Sequence, residues 1–324
     1  MNDFEKILEI ISKNDPSLKH LDIEEIKITD ENSKALARAL IQNTSLKSLN
    51  LAGCQITDVG AQALAIGIKT NTTLESLDFF CNNITDVGGK ALAGALKKNQ
   101  SLKSLYLGSN KISDSAVELA EALIQNKSLE SLDLKGNDIT NVGVKALAEA
   151  LKKNASLESL NLGANNFTDD GIGHLQIAIK ANNALKELFL FSNKITDNGV
   201  NKLADALREN KSLQKLDLSN NIITDNGVNK LADALRENKS LQKLDLSNNI
   251  ITDSGARDIL KLLQTNRNIK EIDLSDNSIS PILIEEINNK LIENAKNKEQ
   301  APTAKFKPLD VEKKVTPDRK SPTR

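Results

Sequence analysis

The chain has no tryptophan, one tyrosine, one methionine, two histidines and two cysteines in 324 residues. Each scarcity excludes something. Two cysteines cannot make a disulfide framework, so packing and hydrogen bonds must hold the fold, and a reducing, cytoplasmic compartment is the expected setting. With aromatics at 2 %, the core has to come from Leu, Ile and Ala, for which the 39 % hydrophobic fraction suffices. No apolar run approaches membrane-spanning length. There is no Gly-rich phosphate loop with a following Lys-Ser/Thr, no H-E-x-x-H and no C-x-x-C. No cofactor, metal or small-molecule substrate is expected, and no catalytic residue can be assigned.

What the sequence does contain is repetition. ITDNGVNKLADALRENKSLQKLDLSNNI runs from Ile195 to Ile222 and recurs letter for letter from Ile223 to Ile250. The pattern LxxLxLxxN begins at Leu18, Leu46, Leu74, Leu102, Leu129, Leu157, Leu185, Leu213 and Leu241, and as IxxIxLxxN at Ile269, with Ile26 in the Asn place of the first, terminal repeat and Cys54 in that of the second. The step is 28 residues, except for 27 between Leu102 and Leu129, where the missing residue falls between Asp114 and Leu119. Length alone would suggest two or three domains, but a repeat array grows its core in one dimension.

Two periods run inside each unit. Leu216 and Leu218 alternate as in a strand, and Val228, Leu231, Ala232 and Leu235 share one helix face. Thr224-Asp225 is a candidate N-cap. A strand and a helix cannot bury their apolar faces alone, whereas stacked copies share a continuous core. The asparagine ending each strand (Asn82, Asn110, Asn137, Asn165, Asn193, Asn221, Asn249, Asn277) can satisfy turn groups that lack a ladder partner.

The residues LxxLxLxxNxITDxGxxxLAxALxxN, as in Leu213 to Asn238, resemble leucine-rich repeats of the ribonuclease-inhibitor type across residues 18–295. The resemblance implies an α/β solenoid, a horseshoe of ten repeats with a parallel sheet on the concave face and helices on the convex face. Similar repeats occur in Ran GTPase-activating proteins and in nucleotide-binding immune receptors, so the likeness fixes architecture more than function.

Three segments are expected. Residues 1–17 form an amphipathic cap helix, with Phe4, Ile7, Leu8 and Ile11 on one face. Residues 18–295 are the repeats, the last closed by a helix through Ile284, Ile287 and Leu291 after Ser280-Pro281. Residues 296–324 read as a disordered basic tail rich in Pro and Lys. Residues 295–324 carry nine Lys/Arg against four Asp/Glu, or +5, leaving −6 for residues 1–294. Lys-, Asn- and Ile-rich usage suits an AT-rich genome, which leaves a host-directed role open.

His20 and His174 fall on a strand and a helix several repeats apart, which argues against a shared active site. Cys54 and Cys81 lie in adjacent repeats, either as a bridge or as a buried substitute for Asn and a turn residue. Asp and Asn recur at the fifth motif position (Asp22, Asn50, Asp78, Asp133, Asn161, Asp217, Asp245, Asp273), as a solvated face or as an acidic surface for a basic partner. Among eight Phe/Tyr, Phe79 and Phe167 are expected in the core, whereas Phe80, Tyr106, Phe189 and Phe191 fall at positions five and seven, which should face water.

These four aromatics, with Asp133 and Lys135 between them, are the candidate partner-binding residues of a non-catalytic, monomeric protein-interaction scaffold. The alternative is a GTPase-activating regulator resembling Ran GTPase-activating proteins. The resemblance implies an acidic C-terminal segment for those proteins, and this one is basic. Nucleic-acid binding through the tail is a weaker reading still.

Overall fold

The computed structural model describes residues 3–299, with side chains described over 4–296. The basic tail beyond residue 299 lies outside the described residues. The strands are β1 (His20–Asp22), β2 (Ser48–Asn50), β3 (Ser76–Asp78), β4 (Ser104–Tyr106), β5 (Ser131–Asp133), β6 (Ser159–Asn161), β7 (Glu187–Phe189), β8 (Lys215–Asp217), β9 (Lys243–Asp245) and β10 (Glu271–Asp273). Helix α1 (Asp3–Ser12) precedes them. Each strand is then followed by one helix: α2 (Asp30–Gln42), α3 (Asp58–Thr70), α4 (Asp86–Leu96), α5 (Ala116–Gln125), α6 (Asn141–Leu151), α7 (Asp169–Ala181), α8 (Asp197–Glu209), α9 (Asp225–Glu237), α10 (Asp253–Thr265) and α11 (Pro281–Glu299).

The ten strands form one parallel sheet in sequence order. Equivalent residues pair throughout, as Leu216 does with Leu244. Strands stack about 4.8 Å apart while packed helices need about 8–10 Å, so the array must bend with its helices outside. That mismatch makes the horseshoe. The apolar comb of each repeat fills the space between the layers, with Leu216 at 1 % exposure and Leu218 at 0 %. Phe79 and Phe167 are core residues at 0 %, as their register requires.

Three side-chain ladders join one repeat to the next. The first is the strand-end asparagine: Asn82 Nδ2 donates to Leu51 O of the preceding repeat (2.9 Å) and to its own Phe79 O (3.0 Å). Its Oδ1 accepts from Ile56 N at 2.8 Å. In the second repeat Cys54 takes this place and donates its thiol to Ile23 O at 3.1 Å. The thiol is fully buried, which pushes its pKa up to about 11. Cys81 is also a free thiol, exposed, in a turn at φ 56°, so the bridge between them does not form.

A second asparagine column sits at the helix C-caps. Asn238 Nδ2 reaches Leu207 O (2.7 Å) and Asn210 O (3.1 Å) of the preceding repeat, while its Oδ1 accepts from Ser240 N and Leu241 N. The third ladder is the aspartate of the ITD motif. Thr224 is the N-cap, as its position predicts, and accepts from Asn226 N. Asp225 instead serves the next repeat, where its carboxylate accepts from Thr252 N, Thr252 Oγ1 and Gly255 N. The following glycine leaves room for that carboxylate. At Gly88 an added Cβ would stand 2.7 Å from Asp58 Oδ1.

The short repeat shows what its deletion costs. Helix α5 starts only at Ala116, and its N-cap Ser115 makes no side-chain cap bond. Asp86 compensates by accepting the N–H groups of Ser113, Asp114 and Ser115. Burial raises its pKa, but the bonds from Ser115 and Ser113 outweigh that and hold it below the usual aspartate value.

Both ends are covered. Phe4, Ile7 and Ile11 of α1 are buried, and Asn43 Nδ2 donates to Ile11 O at 3.0 Å, as though α1 were a preceding repeat helix. At the far end α11 begins at Pro281 and buries Leu283 and Ile287, with Ile284 and Leu291 partly buried. It continues past residue 295 to Glu299, because Asn294 holds the C-cap register (Nδ2 to Leu263 O, 2.8 Å) without ending the helix.

These ladders can be tested directly. Asp58→Ala removes the acceptor for Thr85 N, Thr85 Oγ1 and Gly88 N. Asn221→Ala orphans Leu190 O, among others. Each should lose about 1–3 kcal/mol in denaturant unfolding. An unchanged midpoint for Asp58→Ala would show that the aspartate ladder is ornamental.

Candidate partner-binding face

Positions three, five and seven of each repeat point into the concave face, because strand residues alternate sides. Position five is not simply a solvated column. Each Asp or Asn there accepts the backbone N–H of position seven, closing the end of the strand as an Asx turn. Asp78 Oδ1 accepts from Phe80 N (2.7 Å), Asp133 Oδ1 from Lys135 N (2.8 Å) and Asn161 Oδ1 from Gly163 N (3.0 Å). Asp217 Oδ1 accepts from both Ser219 N (3.0 Å) and Ser219 Oγ (2.7 Å).

Tyr106 and Phe189 interrupt this column. Tyr106 pairs with Asp78 on one side and Asp133 on the other, and Phe189 with Asn161 and Asp217. A phenyl ring cannot accept the position-seven N–H, and a tyrosine hydroxyl is too far along its ring to do so. Both repeats forgo a turn bond worth roughly 1 kcal/mol, and repeat architecture gives no reason for that.

Position seven reads, over five successive repeats, Phe80, Gly108, Lys135, Gly163 and Phe191. The glycines are floor. A Cβ on Gly108 would lie 3.0 Å from Phe80 Cδ2 and 3.0 Å from Lys135 Cγ, so these two side chains meet across it. The Lys135 ammonium lies 4.8 Å from the Phe80 ring centroid. A Cβ on Gly163 would land on the Phe191 ring. Both phenylalanines thus lean inward over glycine toward Lys135.

On the neighbouring columns the Lys215 ammonium stands 4.7 Å from the Phe189 ring centroid. Phe80, Tyr106, Phe189 and Phe191 are therefore half-buried, not open to water as position alone suggests. Lysine side chains cover part of the Phe80 and Phe189 rings, and Phe80 and Phe191 lie against the glycine floor. Cation–π contact adds about 0.5–1 kcal/mol at such sites.

The carboxylates here are strained electrostatically. Burial raises the pKa of Asp78, Asp133 and Asp217 above the usual aspartate value, against the hydrogen bonds from Phe80, Lys135 and Ser219. Asp133 adds to the rise at Asp78, and Asp245 to the rise at Asp217. His20 lies on β1 and His174 on α7, on opposite layers. Among the described residues no helix is long and apolar enough to cross a membrane.

A raised folded pKa means stability that is present in acid and lost as pH rises through that pKa. Asp217→Asn removes the penalty and keeps an acceptor for Ser219. Its melting temperature at neutral pH should equal or exceed that of the parent, with the difference vanishing in acid. A clear loss at neutral pH would show that the charge itself stabilises the fold. Carboxyl NMR titration should place Asp133 and Asp217 above the ordinary aspartate range and Asp253, held low by the Ser280 N–H, below it.

Residues 1–107 match the TMOD/LMOD leucine-rich domain. Residues 98–119, 125–148, 153–173, 181–204, 209–232 and 237–260 match the Leucine Rich repeat family, and 268–290 a further Leucine Rich Repeat model. No curated protein matches. Among solved structures, "Leiomodin-1 Actin-Binding Site 2 (ABS2)" is similar at 26 % identity and a TM-score of 0.37, over 50 % of this chain and 79 % of that one. The tropomodulin C-terminal domain of Caenorhabditis elegans is similar at 21 % identity and 0.41, over 47 % and 93 %. An internalin (inlF) of Listeria monocytogenes is similar at 20 % and 0.43, over 88 % and 91 %. With repeat models matched from one end of the solenoid to the other, and with ten in-register strand–helix units, the chain belongs to the leucine-rich repeat proteins.

Proposed function

We propose that this chain is a non-catalytic scaffold that binds a protein partner on its concave face. Phe80, Tyr106, Phe189 and Phe191 are the anchors, with Asp133 and Lys135 lying between them. The observation that carries the proposal is the column Phe80–Gly108–Lys135–Gly163–Phe191. Two rings are held over bare glycine floor on a rigid sheet, where their outer surfaces cost little ordering on binding.

The two aromatic groups flank β5 and β6. Tyr106 and Phe189 are three strand steps apart, or about 14 Å at 4.8 Å per strand. A helix about 10 Å across, laid over the face, can touch both groups.

Truncation separates this role from a purely structural one. An anchor buried in a complex costs about 2 kcal/mol or more of binding when cut to alanine. A core aromatic instead costs about 3–5 kcal/mol of folding stability. Phe189→Ala and Tyr106→Ala should leave the melting temperature nearly unchanged and abolish retention of the partner that the unmodified full-length chain captures. A large drop in melting temperature, with capture intact, would leave these aromatics as packing.

A further inference from the structure

The concave face carries an unbalanced charge. Across positions three, five and seven of the ten repeats stand nine Asp/Glu and three Lys, a net of −6. All three lysines are already engaged within the face. Lys135 lies over Phe80, Lys215 over Phe189, and Lys243 pairs with Glu271 at 2.6 Å. Among the described residues, Glu271 is the one carboxylate of the nine with a cation at ion-pair distance. Eight carboxylates on a concave, partly desolvated surface are thus left without a cation, and Asp217, Asp245 and Asp273 stand on adjacent strands, where like charges repel. Burial raises the pKa of Asp78, Asp133 and Asp217, and a neighbouring carboxylate adds to the rise at Asp78 and Asp217.

One segment of the chain has the opposite character. Residues 300–324 hold seven Lys/Arg against three Asp/Glu, a net of +4 in 25 residues. Phe306, Leu309, Val311 and Val315 are interspersed among these charges. The segment begins directly after α11, the helix that closes the C-terminal end of the sheet. We infer that residues 300–324 dock on the acidic concave face of their own chain, so that a protein partner must displace them. The inference rests on the concave face being the partner site.

Length and tethering both permit it. Twenty-five extended residues reach about 80–90 Å. The sheet, nine steps wide, spans about 43 Å at 4.8 Å per strand. A short tether holds the segment at an effective concentration in the millimolar range. A contact of only millimolar intrinsic affinity is then about half occupied. A partner meeting a half-occupied face binds about twofold more weakly than it would meet an empty one. The contact is electrostatic, so it belongs to the regime of low salt and long screening distance.

Paramagnetic relaxation in the full-length chain tests this. A nitroxide is placed on the tail through Ser321→Cys in a Cys81→Ser background, where the buried Cys54 does not react. At about 0.01 M salt the amide signals of β5, β8 and β9 should lose about half their intensity, while those of α5, α8 and α9 do not. The loss should disappear at about 1 M salt. It should also disappear when Lys305, Lys307, Lys313 and Lys314 are changed to Gln, which leaves the repeats untouched, or with Asp217→Asn and Asp245→Asn together.

Four results would overturn the inference. These are no loss at low salt, loss spread evenly over both layers, loss that survives high salt, and loss seen only between differently labelled molecules, which would make the occupant a second copy. The measurement needs no partner. It can therefore fail while Phe189→Ala still abolishes capture, or succeed while that variant binds normally.

Discussion

Each repeat of this solenoid is tied to its neighbours by side chains that reach across to backbone groups, and the rest of the structure depends on that arrangement. Three-residue strands pair through few backbone bonds, and each repeat carries two sharp turns whose N–H and C=O groups point inward. Left unsatisfied, each would cost about 1–3 kcal/mol. Asn221 reaches back to Leu190 O, Asn238 to Leu207 O, and Asp225 forward to Thr252. The three bonds sit at three corners of the unit, so a repeat cannot slip against its neighbour without breaking one at each corner. Stability in such an array lies at the interfaces. The α1 carbonyl at Ile11 and the amide of Asn294 extend the same ladder to both ends.

Where the repeat pattern is broken, the ladder shows how much it tolerates. A thiol replaces the amide at Cys54 and keeps one donor bond, to Ile23 O, and the oxygen acceptor of the amide is lost. The one-residue deletion before α5 leaves Ser115 as an N-cap with no side-chain cap bond, and the carboxylate of Asp86 spreads over three N–H groups where Asp225 takes two N–H groups and a hydroxyl. Tyr106 and Phe189 are a different kind of departure. They give up the Asx turn without any substitute acceptor of their own. Phe189 gives Lys215 of the next repeat a ring face in its place.

Much of this was legible in the letters. The period, the alternating comb, Thr224 as N-cap, Phe79 and Phe167 in the core and the strand-end asparagine all follow from spacing within one unit. What escaped lies between units. The forward reach of Asp225 and the backward reach of Asn238 join residues 27–31 positions apart, and only the stacking register says which groups they meet. The partial burial of Phe80 and Phe191 escaped for the same reason. Position seven was judged one repeat at a time, whereas the lysine and the glycines that cover and seat the rings come from neighbouring repeats. Reading the column Phe80, Gly108, Lys135, Gly163, Phe191 down the repeats would have revealed it, because a glycine beside a large residue in a stacked column is room for that residue to lean.

The identical pair of repeats raises a problem that stacking in register creates. Two copies of one sequence place Lys215 opposite Lys243 and Asp217 opposite Asp245. Like charges about 4.8 Å apart destabilise a sheet. The repeats on either side resolve the lysines differently. Lys215 turns toward β7, where Phe189 offers a ring face, and Lys243 turns toward β10, where Glu271 offers a carboxylate. Both ammonium groups thus find a partner outside the duplicated pair. The aspartates have no such exit, because each is fixed by the serine two residues on, Ser219 or Ser247. Burial raises the pKa of Asp217, and Asp245 adds to that rise. Duplication propagates the fold at no cost to its ladders, and it leaves uncancelled negative charge on the face where position five cannot move.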